Sequence, residues 1–321
     1  MKKISIIIPM YNVSQYLKKC IDSVYAQGLL DSDFEVVIID DESQDDSLDS
    51  AKKLTLEKKN VIIISQKNKG LGGARNTGIE YATGSYVLFL DSDDFLLTNK
   101  LKDIIKVANE NDLDVLEFGA QGINKNSKIV YSISVCSENI VFNGIEYYRK
   151  FRYMDSACNK LYKRDFLNKN NLRFVEKIYI EDYEFNTRVF AIAQKVMAIP
   201  TIVSHFLQST NSITRNNHPE KLKKMKQDII EVIKQIENQK NNSSIENHDF
   251  YNQRLSFLTA TLFYQLFKNK ASYNDFVDLK SQLTNDKMLF FNYPIYDKKK
   301  NYFRLIILKN FFLLKWITKY T

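Results

Sequence analysis

Leu88-Phe89-Leu90-Asp91-Ser92-Asp93-Asp94 sets an apolar run directly against three carboxylates. Two acids one residue apart, at the end of a buried strand, suit a hard divalent cation. Mg²⁺ and Mn²⁺ take oxygen ligands and are commonly shared between one or two carboxylates and a substrate's phosphates. The chemistry implied is the handling of a nucleoside diphosphate compound. The ordinary alternative is a solvated turn or cap, where Asp is also favoured. Asp94 is open between assisting the cation and capping the next helix.

Three other groups have the composition of a site. Ile39-Asp40-Asp41 ends a second apolar run. An acid at such an edge can accept the N3–H of uracil, which selects uridine over cytidine. Residues 68–78 are glycine-rich and carry Arg75, open between a ligand contact and an ion pair. Gly78 is expected at a tight helix–strand contact. Neither this segment nor the one after the first strand holds Gly-x-Gly-x-x-Gly, so no dinucleotide site is expected. Glu181-Asp182 begins an apparent helix, where acids complement the dipole. A carboxylate from such a separate segment can also take a proton from an attacking hydroxyl.

The elements that must hold these residues follow from hydrophobic periodicity. Residues 5–9 read as a strand, and Val13, Tyr16, Leu17, Cys20, Ile21 and Val24 recur at helical spacing. Strands are expected at 34–39, 61–65 and 86–90. Ser43 is expected to cap a helix with Asp45 and Asp46 in its first turn. Alternation at this interval implies right-handed βαβ units and a mostly parallel sheet, with ligands at its carboxyl edge. Beyond 113, strands are expected at 113–118 and 129–135. Helices are expected near 144–152, 157–168, 181–194, 216–240 and 250–268, with 239–247 as the best linker.

Six segments, in order, resemble the family 2 glycosyltransferases with the GT-A fold. They are Ile6-Ile7-Ile8-Pro9-Met10-Tyr11-Asn12, Ile39-Asp40-Asp41, residues 68–78, Asp91-Ser92-Asp93-Asp94, Asn159-Lys160-Leu161-Tyr162 and Ile180-Glu181-Asp182. Each is common alone; together, in this order, they are specific. The resemblance implies an inverting transferase that uses a nucleotide-activated sugar. It puts Pro9, Tyr11, Asp41, Arg75, Asp91 and Ser92 around the donor, Asp93 and Asp91 at a Mn²⁺ or Mg²⁺ ion, and Asp182 as general base with Glu181 beside it. It places Asn159-Lys160-Leu161-Tyr162 on the acceptor side. His205 is a candidate third metal ligand, since GT-A enzymes often add a late histidine, with a structural histidine as the alternative. Two departures stand out. Glu42 occupies a position that is usually glycine, which makes the turn less permissive. At and just before the segment from Gln208 to Ile213, Leu207 and Ser209 stand where arginines are common.

The net charge of +8 is unevenly spread. Lys298, Lys299, Lys300, Arg304, Lys309, Lys315 and Lys319 account for all but one of those charges, and residues 298–321 contain no acid. A near-neutral body argues against a nucleic-acid binder, which needs a basic stripe on its folded face. Three scattered cysteines argue for reduced thiols and against a disulfide framework or structural zinc. The run after Met1-Lys2-Lys3 ends at Pro9 with no cleavage site after it and reads as a strand, not a signal peptide. On a helical wheel the tail puts basic residues on one side and Leu305, Ile306, Phe312, Leu314 and Trp316 on the other. Leu308 falls on the basic side. That pattern fits a helix lying on an anionic membrane surface.

The expectations are therefore an α/β, Rossmann-like GT-A domain over 1–215 and a helical extension over 216–321. Residues 1–110 are expected to bind the nucleotide sugar and 111–215 to serve the acceptor. The expected activity is transfer from a UDP-sugar to a saccharide or lipid-linked saccharide in bacterial surface polysaccharide synthesis. The location is cytoplasmic, at the inner face of the cell membrane. The alternatives are a non-catalytic nucleotide-sugar-binding subunit of a transferase complex and a nucleotidyltransferase.

Overall fold

The computed structural model describes residues 2–151, 154–208 and 218–320. The chain divides into two compact units, 1–216 and 217–321.

The first unit begins with β1 (Ile4–Met10), α1 (Ser14–Tyr25), β2 (Phe34–Asp40), α2 (Ser47–Thr55), β3 (Val61–Ser65), α3 (Gly70–Tyr81) and β4 (Tyr86–Phe89). Then come β5 (Phe95–Leu96), α4 (Leu101–Glu110), β6 (Val115–Ile123), β7 (Ile129–Ile133), α5 (Gly144–Lys150) and β8 (Lys160–Lys163). Last are α6 (Arg164–Lys169), α7 (Glu181–Ile192) and β9 (Val196–Leu207). They form one sheet in the order β3-β2-β1-β4-β8-β6-β9-β5, with β7 on β6. The first four strands are parallel. Beyond β4 the sheet is mixed, since β8 is antiparallel to both β4 and β6, while β6 and β9 are parallel.

The apolar runs make this sheet because they are buried on both faces. Ile4, Ile6 and Ile8 of β1 pack with Leu17, Cys20, Ile21 and Val24 of α1 and with Leu101, Ile104 and Ile105 of α4. Each large aliphatic side chain so buried contributes about 1.5–3 kcal/mol. Ile7 faces α3. A Cβ at Gly78 would stand 2.2 Å from Ile7 Cγ2, and one at Gly72 would stand 2.6 Å from the Val175 carbonyl oxygen. Both glycines lie within α3; Gly78 lets it sit close to β1 and Gly72 lets the chain at 174–175 pass close to it, so helix occupies residues 70–78 of the glycine-rich segment.

Three local expectations change. Residues 157–168 hold β8 and α6, because Lys160, Leu161 and Tyr162 are captured between two strands. Helix α2 starts at Ser47, and Asp45 accepts from the Ser47 amide and hydroxyl ahead of it. Ser43 instead accepts from the Asn12 amide, 3.2 Å away.

The second unit contains α8 (Pro219–Asn241), α9 (His248–Lys268), α10 (Tyr273–Asn285), α11 (Lys298–Phe303) and α12 (Leu313–Tyr320). The linker expected at 239–247 is largely the connection between α8 and α9. A capping box starts α10: Ser272 Oγ accepts from Asp275 N, and Asp275 Oδ2 accepts from Ser272 N. The tail is not one continuous helix. A π-helical turn over Arg304–Leu308 follows α11. Arg304 is buried and donates to the Phe291 carbonyl (2.7 Å), so it leaves the basic stripe. Phe303, Leu308 and Leu314 turn inward, while Leu305, Ile306, Phe312 and Trp316 are exposed. Among the described residues no helix is long and apolar enough to cross a membrane.

Candidate active site

β1 pairs with β2 on one side and β4 on the other, which makes a topological switch point at their carboxyl ends. The Ile7 carbonyl accepts from Leu90 N at 2.9 Å. The next β1 amide facing β4 would belong to residue 9, and Pro9 has none. The ladder stops there, and the chain enters the Asp91–Asp94 turn. Pro9 and Ser92 are buried; Tyr11 is half exposed at the same edge.

Arg75, from the middle of α3, is 1% exposed. Its Nη2 donates to Asp91 Oδ1 at 2.8 Å. Its Nη1 donates to Asp182 Oδ1 at 2.7 Å and to Glu181 Oε1 at 3.1 Å. One guanidinium thus joins the acid after β4 to both acids in the first turn of α7. Burial works against its charge, but Asp182, Asp91 and Glu181 hold it well above the ordinary arginine value. The Phe174 and Phe89 rings lie 5.2 and 5.9 Å from its carbon.

Asp182 receives a second bond, from Ala157 N to Oδ2 at 3.0 Å, and its side chain stays 24% exposed. Burial raises its pKa against the pull of Arg75. Glu181 is pushed up to about 7, by burial first and Asp182 second. Burial and then Asp91 push Asp93 up to about 6. Asp91, Glu181 and Asp182 share one guanidinium while Asp93 adds further negative charge, an excess that a divalent cation would offset. Asp91 and Asp93 are the pair suited to hold one together with diphosphate oxygens. Among the described residues, no group of three or more His, Cys, Asp or Glu side chains forms a metal cage.

The remaining expected residues have other occupations. Asp94 caps no helix; its Oδ1 accepts from Leu207 N at 2.7 Å and ties the acidic turn to the end of β9. His205 stands opposite Phe95 with Nε2 3.0 Å from Gln121 Oε1, and burial followed by Lys19 lowers its pKa. That contact occupies one of the two ring nitrogens and fits the structural alternative for this histidine. Asn159, Lys160, Leu161 and Tyr162 are at most 1% exposed and do not line a cleft. Their place is beneath the site, and their strand partners could not be read from local pattern. Residues 209–213, which include Ser209 in place of a common arginine, lie outside the described residues.

At the same carboxyl edge, after β2, Asp41 is buried, and its Oδ1 accepts from Gln66 Nε2 (2.7 Å) and Lys69 N (2.9 Å). Glu42 adopts φ +70° although it is not glycine. The left-handed region costs a side-chain-bearing residue about 1–2 kcal/mol. Glu42→Gly is expected to stabilise the protein by about 1 kcal/mol. The check is a raised urea midpoint at constant m-value; an unchanged or lower midpoint would contradict the strain.

The sequence model for the family described as glycosyl transferase family 2 matches residues 5–170. The uncharacterized glycosyltransferase EpsJ of Bacillus subtilis (strain 168) is 30% identical over 66% of this chain and 62% of its own length. TarP of Staphylococcus aureus (strain N315), a poly(ribitol-phosphate) beta-N-acetylglucosaminyltransferase, is 30% identical over 68% of this chain and 66% of its own. The chain thus spans less than two thirds of the length of these relatives. The crystal structure of S. aureus TarS 1-349 in complex with UDP-GlcNAc aligns over 83% of this chain and 73% of that one, at 24% identity and TM-score 0.66. This likeness establishes a GT-A fold. With the family match over more than half its length, the chain belongs to glycosyl transferase family 2.

Proposed function

We propose that the chain is an inverting glycosyltransferase that moves a sugar from a UDP-sugar to a saccharide or lipid-linked saccharide in bacterial surface polysaccharide synthesis. The observation that carries this is the shared guanidinium of Arg75, which brings Asp91 and Asp182 to one edge of the sheet. The TarS complex with UDP-GlcNAc supports a UDP-sugar donor, and the name of TarP supports sugar transfer.

Asp41 Oδ2 receives the uracil N3–H, since Oδ1 is already engaged. Asp91 and Asp93 would hold Mn²⁺ or Mg²⁺, which supplies positive charge where the diphosphate leaves. Asp182 removes the proton from the acceptor hydroxyl as its oxygen attacks the anomeric carbon, and UDP departs from the opposite face with the bonding pair. A carboxylate has about four acceptor positions, so bonds from Arg75 and Ala157 leave room for the hydroxyl. Its raised pKa brings the base nearer to operating pH.

A thermal-shift panel tests the donor. UDP-sugars with Mn²⁺ are expected to raise the melting temperature, by about 2.7 kcal/mol of stabilisation at a hundredfold excess over Kd. Equal shifts from CDP-sugars would remove Asp41 as the reader of uracil. Donor binding without UDP release in the presence of acceptor would favour the non-catalytic subunit.

The exposed Leu305, Ile306, Phe312 and Trp316, set among lysines in a segment without acids, form a surface suited to an anionic leaflet. Lys309→Gln with Lys315→Gln is expected to weaken binding to anionic vesicles about thirtyfold, at about 1 kcal/mol per charge. Both lysines are exposed, so the fold is spared. Unchanged sedimentation with vesicles would remove the membrane from the proposal.

A further inference from the structure

Lys160 of β8 and Glu117 of β6 are register partners in the middle of the sheet, 0% and 1% exposed. The Lys160 ammonium is 3.5 Å from Glu117 Oε1. It donates to the carbonyls of Met154 (2.6 Å) and Ser156 (2.8 Å) and to Asn159 Oδ1 (2.8 Å). Glu117 Oε1 accepts from Met154 N and Asn159 Nδ2, both at 3.1 Å, and Oε2 accepts from the Tyr147 hydroxyl at 2.5 Å. The turn over 154–158 is therefore wound around one buried ion pair. The same turn presents the Ala157 amide to Asp182 Oδ2. Another anchor is Asn186, which donates to the Asp155 carbonyl at 2.7 Å.

We infer that Lys160 is a positioning residue for proton abstraction, acting through the turn that carries Ala157 to Asp182. The inference rests on the reading of Asp182 as general base. A carboxylate held at one oxygen by Arg75 can still rotate about its last bond. A second donor on the other oxygen sets its plane and aims the remaining lone pairs, and geometric precision of this kind is worth up to about a hundredfold in rate. Lys160 is fully buried and acts only through the turn. Its charge and the Ala157 amide both favour the ionised form of Asp182.

The test compares Lys160→Met in two backgrounds, with Lys160→Met/Glu117→Gln as the partner variant that leaves no buried charge unpaired. In the otherwise unaltered enzyme, Lys160→Met is expected to lower kcat about ten- to a hundredfold with donor KM within about twofold. The acid limb of the pH–rate profile should move to higher pH, because Asp182 loses groups that favour its charge. In an Asp182→Asn background the same change should cost no further residual turnover. If Lys160→Met does not fold, the double variant carries the same expectations. An unmoved acid limb, or an equal loss in both backgrounds, overturns the inference and leaves Asp182 as base. Full activity in Asp182→Asn alone overturns the base, and the inference with it.

Discussion

Asp182→Asn is expected to lower kcat about a thousandfold while the donor's Kd stays within about twofold. General-base catalysis contributes about 10²–10⁴. The amide keeps the shape of the side chain and a carbonyl oxygen for Arg75, while its NH2 replaces the oxygen that accepts from Ala157 N, so that bond goes with the base and the Arg75 hub stays. The donor contacts proposed for Asp41, Asp91 and Asp93 are untouched. Single-turnover UDP release and a separate donor titration check the two halves of the expectation. A kcat within tenfold of the unaltered enzyme would remove Asp182 from the chemistry. A large loss of donor affinity would instead recast it as a binding residue.

Asp93→Asn is expected to be comparably damaging by another route. Lewis-acid stabilisation of a leaving diphosphate is worth several kcal/mol, and each 1.36 kcal/mol is tenfold in rate. The variant should lose about three orders of magnitude in kcat/KM, with Mn²⁺ binding in the presence of UDP reduced in a calorimetric titration. The unaltered protein carries a pH signature of the same group. Asp93 is raised to about 6 by burial and by Asp91. Below that pH a cation must displace a proton, so apparent Mn²⁺ affinity should fall by up to about tenfold per unit as pH drops from 6. Above pH 7 it should be flat with respect to this group. Affinity that stays level from pH 7.5 to 5 would show that Asp93 holds no cation.

Much of the site was legible because the first half of the fold is built from local signals. Four apolar runs at helix-sized intervals define four parallel strands, and acids following such runs must emerge at their carboxyl ends. Asp41, Asp91 and Asp93 stand there for that reason. The residues whose surroundings could not be read are those with distant partners. Lys160, Leu161 and Tyr162 belong to a strand because β4 and β6 flank them, although their local pattern read as helix. Asp94 holds β9, and His205 meets Gln121, through pairings that cross much of the chain. The tail's wheel was broken by Arg304, which found the Phe291 carbonyl.

Family membership, the strand–helix alternation and the places of the acids at 40–41, 91–94 and 181–182 were legible in the residues alone, because hydrophobic period and residue spacing are local properties. The pairing of distant segments is what makes Arg75 a buried ion-pair hub and sets Lys160 and Glu117 under the turn that meets Asp182. Both depend on strand order and cross-strand register, which arise when distant segments pair and are written in no single stretch of chain.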